Sequence, residues 1–403
     1  MHASARPEEA PRVIGRYRVF HPLASGGMAT VHLGHMEGSA GFSRIVAIKR
    51  MKPEIARQAD FAAMFRDEAM IAARVQHPNV VTTIDVVSED DELFIVMEYV
   101  RGLALKELMH LSLDRDERIP VDIALSIIGG TLEGLHAAHN VRGEHDEPLD
   151  LVHRDVSPHN ILVGRDGVVR IVDFGVAKAA SRMHQTGANQ VKGKLTYMAP
   201  ERITSKEADR RVDVFSAGVV LWEVLAGRKR YEGSSVQEIA SELLTTDAPP
   251  LADERSDVPP ALDAVIRRAT ARDPDERYAT AEEMLTDLEG IGAFATKRAV
   301  SAWVEEIGSD VLEEHDELTR ALRAHIAGGI PAPRDSASER ERPPSSGITT
   351  LNEPTFTPLE RQRTAETRVI PELAAEPVAP PPAAPPPVVA PPAPVVRTVP
   401  VRV

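Results

Sequence analysis

Over its first hundred residues the chain alternates short apolar runs with polar turns, and it then changes to a helical period. Tyr17–Leu23 reads as a first strand, followed by a small-residue turn and a second apolar run at Val31. Val46-Ala-Ile and Leu93–Val100 read as buried strands, the latter running into a bend at Arg101-Gly102. Between them Phe61, Met64, Phe65, Glu68, Ile71, Ala72 and Val75 recur at helical spacing, and His77-Pro-Asn79 ends that helix. Beyond residue 100, Ile123–His139 is an amphipathic helix with Ile123, Ile127, Leu132, Leu135 and Ala138 inward. Ile161–Val163 and Val168–Val172 are two brief strands joined by the turn Gly164–Gly167. Val176–Thr196 has no periodicity and reads as a loop. Asp213–Ala226 is almost wholly apolar, which places it at the centre of a helical lobe, with Gly227 as its C-terminal stop. A further helical pattern covers 296–326, with Val300, Trp303, Val304 and Ile307 inward. Strands first and helices afterwards make an α+β chain.

Composition separates the last seventy residues from the rest. Residues 331–403 hold 18 of the 32 prolines and one aromatic residue, Phe356, so this tail is expected to be disordered. Its eight Arg balance eight Asp and Glu, so the net charge of −14 belongs to residues 1–330. An acidic folded part argues against nucleic acid as a partner and against anionic membranes. The absence of cysteine excludes disulfides and thiolate chemistry and fits a cytoplasmic setting. No leader is expected in the polar, proline-broken residues 1–16. Pro377–Val396 has the length of a membrane span, but half of its positions are proline, so it reads as polyproline II and no membrane span is expected.

Three stretches carry candidate chemistry. In the turn Leu23-Ala-Ser-Gly-Gly-Met-Ala-Thr-Val31 the small residues Ala24, Ser25, Gly26, Gly27 and Ala29, with Met28, let backbone N–H groups approach phosphate oxygens. Lys49 closes an apolar strand 18 residues after Val31. Glu68 falls on the apolar face of its helix, where an unpaired carboxylate would cost several kcal/mol, roughly, and Lys49 is the expected partner. The third stretch, Leu151–Gly175, sets Asp155, Asn160 and Asp173 on loops at strand ends within 19 residues. Two carboxylates and an amide so placed suit the positioning of a metal-bound phosphate and a hydroxyl.

The runs Val46-Ala-Ile-Lys49, His153-Arg-Asp155 with Asn160, Asp173-Phe-Gly175 and Ala199-Pro-Glu201 follow one another in this order. With Glu68, Asp213 and Arg277 at matching spacings, the chain resembles the protein-kinase family, specifically the bacterial serine/threonine type, over about residues 17–292. The resemblance implies a bilobal kinase fold: a β-rich N-lobe at 17–100 and a helical C-lobe at 101–292. A flexible arm at 1–16 would precede them, and a helical extension at 293–330 and the tail at 331–403 would follow.

It further implies ATP as phosphate donor, Mg²⁺ or Mn²⁺ as cofactor, and Ser/Thr hydroxyls of protein substrates as acceptors in a signalling role. Asp155 would take or orient the hydroxyl proton, Asn160 and Asp173 would hold the cations, and Lys49 would anchor the α- and β-phosphates. Leu23, Val31, Ala47, Met97, Glu98, Val100 and Leu162 would line the adenine site, with Met97 gating the pocket behind it. Glu201 would pair with Arg277. Arg154 would receive an activation-loop phosphate on Thr186, or failing that on Ser181, added by the enzyme itself. Pro158 favours Ser/Thr over Tyr acceptors.

Two departures stand out. Of the glycine-rich pattern Gly26 is kept, while Ala24 and Ala29 occupy flanking glycine positions. Ser157 replaces the family's catalytic-loop Lys, and Lys194 occupies the place of a Thr seven residues before Glu201. An exchange is expected, in which Lys194 supplies the γ-phosphate contact and Ser157 the hydroxyl. The alternative reading is a nucleotide-binding pseudokinase that acts as a scaffold through its Pro-rich tail, whose phosphothreonines or proline runs would engage partners. The sequence names neither the substrate nor the oligomeric state.

Overall fold

The computed structural model describes residues 12–26, 29–38, 42–52, 66, 69–89, 92–174, 195–204, 208–231, 233, 235–292 and 294–327. Six strands build the N-terminal sheet: β1 (Arg12–Ile14), β2 (Tyr17–Ser25), β3 (Ala29–Glu37), β4 (Ser43–Met51), β5 (Thr83–Glu89) and β6 (Glu92–Glu98). All neighbours are antiparallel, in the order β1-β2-β3-β4-β6-β5. Because side chains alternate across a strand, β4 sends Val46 and Ile48 to one apolar cluster with Tyr17, Phe94 and Val96. It sends Ala47 and Met51 to a second cluster with Ile95 and Met97. Both faces are covered, which is why β4 reads as a continuous apolar run.

One boundary needs correction. Residues 1–16 are expected as a flexible arm, yet Arg12–Ile14 forms β1, and Ile14 is 1% exposed. The turn Gly15–Arg16 folds β1 back so that Ile14 pairs with Tyr17. A three-residue strand is too short for an alternating pattern to register. The expected first strand is therefore the second, and it runs to Ser25 rather than Leu23.

The C-terminal part begins with β7 (Gly102–Ala104), which pairs with β8 (Ile161–Gly164), itself paired with β9 (Val169–Ile171). Around this small sheet lie α1 (Leu105–Asp114), α2 (Val121–His139), α3 (Pro200–Ile203), α4 (Arg211–Ala226), α5 (Val236–Thr245), α6 (Pro260–Ala269), α7 (Ala281–Glu289) and α8 (Lys297–Ala327). Helix α4 is buried from Val212 to Ala226 and stops at Gly227, whose φ of 69° is the left-handed cap that glycine takes without strain. Burial of Phe215, Leu221 and Trp222 contributes about 1.5–3 kcal/mol each. Helix α2 packs against α4, α7 and β9, with all five expected inward residues buried. Among the described residues α2 is the one helix long and apolar enough to cross a membrane, and its apolar side chains are spent on this core.

The helix expected over Phe61–Val75 is described only in part: residues 69–72 are helical and Val75 is 3% exposed, while 61–65, 67 and 68 lie outside the described residues. The segment after it ties the two parts together. Asn79 Nδ2 donates to Val169 O at 2.8 Å, and Val81 N donates to Ile171 O at 2.9 Å. The long helix α8 packs on β7, β8, α1 and α2, and Val300, Trp303, Val304 and Ile307 are buried as expected.

Candidate active site

The site is assembled on the loops that flank β8 and β9, around one buried carboxylate. Asp213, in the first turn of α4, is 0% exposed. Its Oδ2 accepts from His153 N at 2.8 Å and lies 2.8 Å from His139 Nε2; its Oδ1 accepts from Arg154 N at 2.7 Å. Burial pushes the Asp213 carboxyl up, but the His139 contact and these amides outweigh it and hold it below the usual range. His153 in turn accepts Asp155 N on Nδ1 at 3.2 Å and donates Nε2–H to Val172 O at 2.8 Å. The imidazole therefore joins the loop of Asp155 to the strand end that carries Asp173.

Two non-glycine residues here have positive φ: Arg154 at 64° and Asp173 at 66°. Such backbone costs about 1–3 kcal/mol per residue and persists only where neighbours impose it. At Arg154 the imposing contacts are the Asp213 bond to its N–H and an Arg202 Nη1 donation to its carbonyl. At Asp173 the carboxylate is held by Lys49, whose Nζ lies 2.7 Å from Oδ1. Lys49 is 6% exposed, and an ammonium so buried requires an anion beside it.

Asn160 donates through Nδ2 to Asp155 O at 2.8 Å and to Asp155 Oδ2 at 3.3 Å. Its backbone carbonyl accepts Val172 N at 3.0 Å, and its N–H donates to Ser157 O at 2.9 Å. The three expected polar residues thus share one hydrogen-bonded frame. Asn160 spends its amide nitrogen on Asp155, which leaves its amide oxygen and the partly exposed Asp173 carboxylate as oxygen donors. Hard divalent cations take such oxygens, the remaining positions coming from phosphates and water. Among the described residues no group of three or more His, Asp and Glu is arranged to hold a metal by itself. The residues therefore fit a cation that arrives with a phosphate ligand.

An apolar cluster adjoins this frame through Leu162 and Val172, and Val31, Ala47, Met97 and Val100 belong to it. The register sets Val31 opposite Lys49 and Ala47 opposite Met97. Leu23, Ala24, Ser25 and Gly26 continue β2 toward the turn, where Gly26 N donates to Ala29 O at 2.9 Å; Gly27 and Met28 lie outside the described residues. Glu98 is spent on Thr82 at both ends, its Oε1 accepting Thr82 N at 3.0 Å and its backbone N–H donating to Thr82 O at 3.0 Å.

The remaining expected residues divide sharply. Arg277 donates from Nη1 and Nη2 to the two Glu201 oxygens, both at 2.8 Å and both buried. Ser157 is 7% exposed. Glu68, Ser181, Thr186 and Lys194 lie outside the described residues, and with them the Lys49–Glu68 pair, the loop phosphate and the Lys194–Ser157 exchange. Missing from the list of expected site residues are Asp213, His139, Arg202 and the pair Tyr197–Glu223. Tyr197 donates to Glu223 Oε2 at 2.7 Å, and burial pushes the Glu223 carboxyl up. The sequence offers Asp213 as a family spacing without a role, and a carboxylate in the midst of an apolar helix is the signal that singles out Glu223; His139 and Arg202 carry none.

The protein kinase domain family matches residues 17–288. The tyrosine-protein kinase MasK of Myxococcus xanthus is 38% identical over 275 residues, 68% of this chain and 43% of MasK. The serine/threonine-protein kinase PrkC of Bacillus subtilis is 34% identical over 311 residues, 77% of this chain and 44% of PrkC. The serine/threonine-protein kinase PknL of Mycobacterium tuberculosis is 35% identical over 285 residues, 71% of this chain and 68% of PknL. The chain thus spans less than half the length of the first two relatives. The crystal structure of the M. tuberculosis PknI kinase domain has the same fold, with a TM-score of 0.54 at 24% identity over 71% of this chain and 99% of that one. With the ordered motifs, the bilobal architecture and a family match across most of the described residues, the chain belongs to the protein-kinase family.

Proposed function

We propose that this chain is an ATP-dependent protein kinase that phosphorylates Ser and Thr hydroxyls of proteins in a signalling role, and that it modifies its own activation loop. The observation that carries the reading is the shared frame of Asp155, Asn160, Asp173 and Lys49 beside the apolar cluster of Val31, Ala47, Met97, Val100 and Leu162. Asp155 takes the proton of the substrate hydroxyl as the oxygen attacks. Lys49 holds the α- and β-phosphate oxygens, and Asn160 and Asp173 hold the divalent cation. When bound, that cation neutralises charge on the phosphates. The adenine ring lies between Val31, Ala47 and Leu162, against the backbone of Glu98 and Val100. ATP as donor places this chain on the cytoplasmic side. Residues 17–100 and 101–292 are the two lobes, with the helical extension at 293–330 and the tail at 331–403.

Transfer of labelled γ-phosphate to itself and to a generic acceptor tests the reading, with Asp155→Asn as control. Phosphoamino-acid analysis then decides the acceptor: label on Ser and Thr supports the proposal, and label confined to Tyr would align the chain with MasK instead. Mass spectrometry after incubation with ATP reads the loop, where modification at Thr186 or Ser181 is expected. The buried Ser157 at the catalytic-loop Lys position favours one second reading, the nucleotide-binding scaffold. The Lys194 exchange separates the two. Lys194→Ala should cut kcat far more than it changes the KM for ATP, because a Lys charge at about 4 Å is worth on the order of 4 kcal/mol near an effective dielectric of 20.

A further inference from the structure

Helix α8 begins beyond the residues that the family matches, and it touches both lobes. Its first half is a conventional anchor: Val300, Trp303, Val304, Ile307 and Leu312 are buried in the C-lobe core. Its second half, which is mostly polar, reaches the other lobe, where the His325 ring meets Phe20 of β2 edge-on with centroids 5.9 Å apart. At 1.5 Å per residue, its 31 residues run about 45 Å.

Between the two halves lies a charged cluster directly behind the strand that leaves the nucleotide slot. Arg101 follows Val100 in the chain, and its Nη2 donates to Asp316 Oδ1 at 2.7 Å. Arg165, in the β8–β9 turn, donates Nη1 to the other Asp316 oxygen at 2.5 Å. The same guanidinium binds both oxygens of Glu305, with Nη2–Oε2 at 2.9 Å. Ser301 Oγ donates to Arg165 O at 2.6 Å, and Arg165 N donates to Arg101 O at 2.8 Å. Arg115 Nη1 adds a bond to Glu306 O at 2.9 Å. Burial and the negative charge of Asp316 push the Tyr99 phenol up, so Tyr99 also stands in the field of that carboxylate. The segment 99–101 is therefore gripped from behind by one helix, through one carboxylate that serves two arginines.

We infer that Asp316 is a positioning residue for the nucleotide site. By joining Arg101 to Arg165 on a helix whose far end rests on β2, it sets the separation of the lobes and so the residence of the nucleotide between them. Asp316 touches neither nucleotide nor substrate and acts through Arg101. An ion pair with Arg101 58% exposed would contribute little as an isolated contact. Here it belongs to a network with a doubly bonded guanidinium, at the point where the two lobes are joined. The inference rests on the reading of this slot as a nucleotide site.

The test uses the full chain and variants Asp316→Ala, Asp316→Glu and Arg101→Met. Dissociation of a fluorescent ADP analogue is followed by stopped flow, and the KM for ATP, kcat toward a generic acceptor, and Tm are measured beside it. Asp316→Ala and Arg101→Met should each speed ADP release and raise the KM by about five-fold or more, the lower range of coupling between sites, with kcat changed less than about two-fold. Asp316→Glu should restore most of the loss. A lowered Tm with ADP release and KM unmoved would show a merely structural contact and overturn the inference. ADP release requires no phosphoryl transfer, so a wild-type chain that binds nucleotide without transferring phosphate would end the kinase reading and still decide this one.

Discussion

At the residue scale the chemistry depends on charged side chains held by a neighbour rather than left to solvent. Lys49 is buried and paired with Asp173 at 2.7 Å, so the two are one electrostatic unit. Lys49→Met leaves Asp173 without its cation. It should lower kcat/KM for ATP by roughly 10²–10⁴ with the fold retained by circular dichroism. Asp155→Asn keeps the Asn160 contacts but removes the proton acceptor, and it should lower kcat with little change in nucleotide affinity.

Asp213 makes the opposite case, a carboxylate buried for architecture. Its folded pKa lies below its unfolded value, so the unfolded chain binds more protons in acid. Its stabilisation is complete above about pH 4, the ordinary carboxylate range, and is lost as pH falls through the folded value. Urea unfolding across acidic pH should therefore show a steep decline for the wild type. In Asp213→Asn the decline should be shallower and start from lower stability, because an amide oxygen cannot serve His139 and two backbone N–H groups equally well.

At the element scale, short segments matter where they join larger ones. Helix α3 has only four residues, yet it carries Glu201 to Arg277 and Arg202 to the carbonyl of Arg154. Arg277→Ala would strand Glu201 at 5% exposure and should destabilise the chain by about 3–5 kcal/mol, measured as a drop in unfolding midpoint. Strand β1 shows the limit of local reading in a different way. Its three residues hold no period, and only pairing with β2 and burial of Ile14 make them a strand. The long elements α2 and α8 were legible because fifteen or more residues repeat their face pattern, and α4 because its apolar run is unbroken and ends at Gly227.

For the whole molecule, α8 is as much a part of the folded body as the family core. Trp303→Ala would open a cavity where α8 meets the C-lobe core and should cost about 3–5 kcal/mol, seen as a lowered Tm of the full chain. The lobes also meet through Asn79 and Val81 on β9, so the helix before β5 and the loop of Asp173 share a floor. The site is read correctly only with these connections, because Lys49 arrives on the sheet of one lobe and Asp173 on the small sheet of the other.

The sequence by itself determined the succession from a strand-rich first part to a helical second part, the apolar positions of the long helices, and the residue types at Lys49, Asp155, Asn160 and Asp173. It could do so because periodicity and motif spacing are local properties that survive without coordinates. Only the tertiary structure decided that Asp213 holds the loop of Asp155, that Arg202 supports the strained Arg154, and that Asp316 grips Arg101 just beyond β6. Those partners lie 58, 48 and 215 residues apart in pairs such as Asp155–Asp213, Arg154–Arg202 and Arg101–Asp316. Helical and strand periods do not reach that far, and outside the family's own motif pairs such as Glu201–Arg277 a charged residue's partner is chosen by where the packed elements bring it.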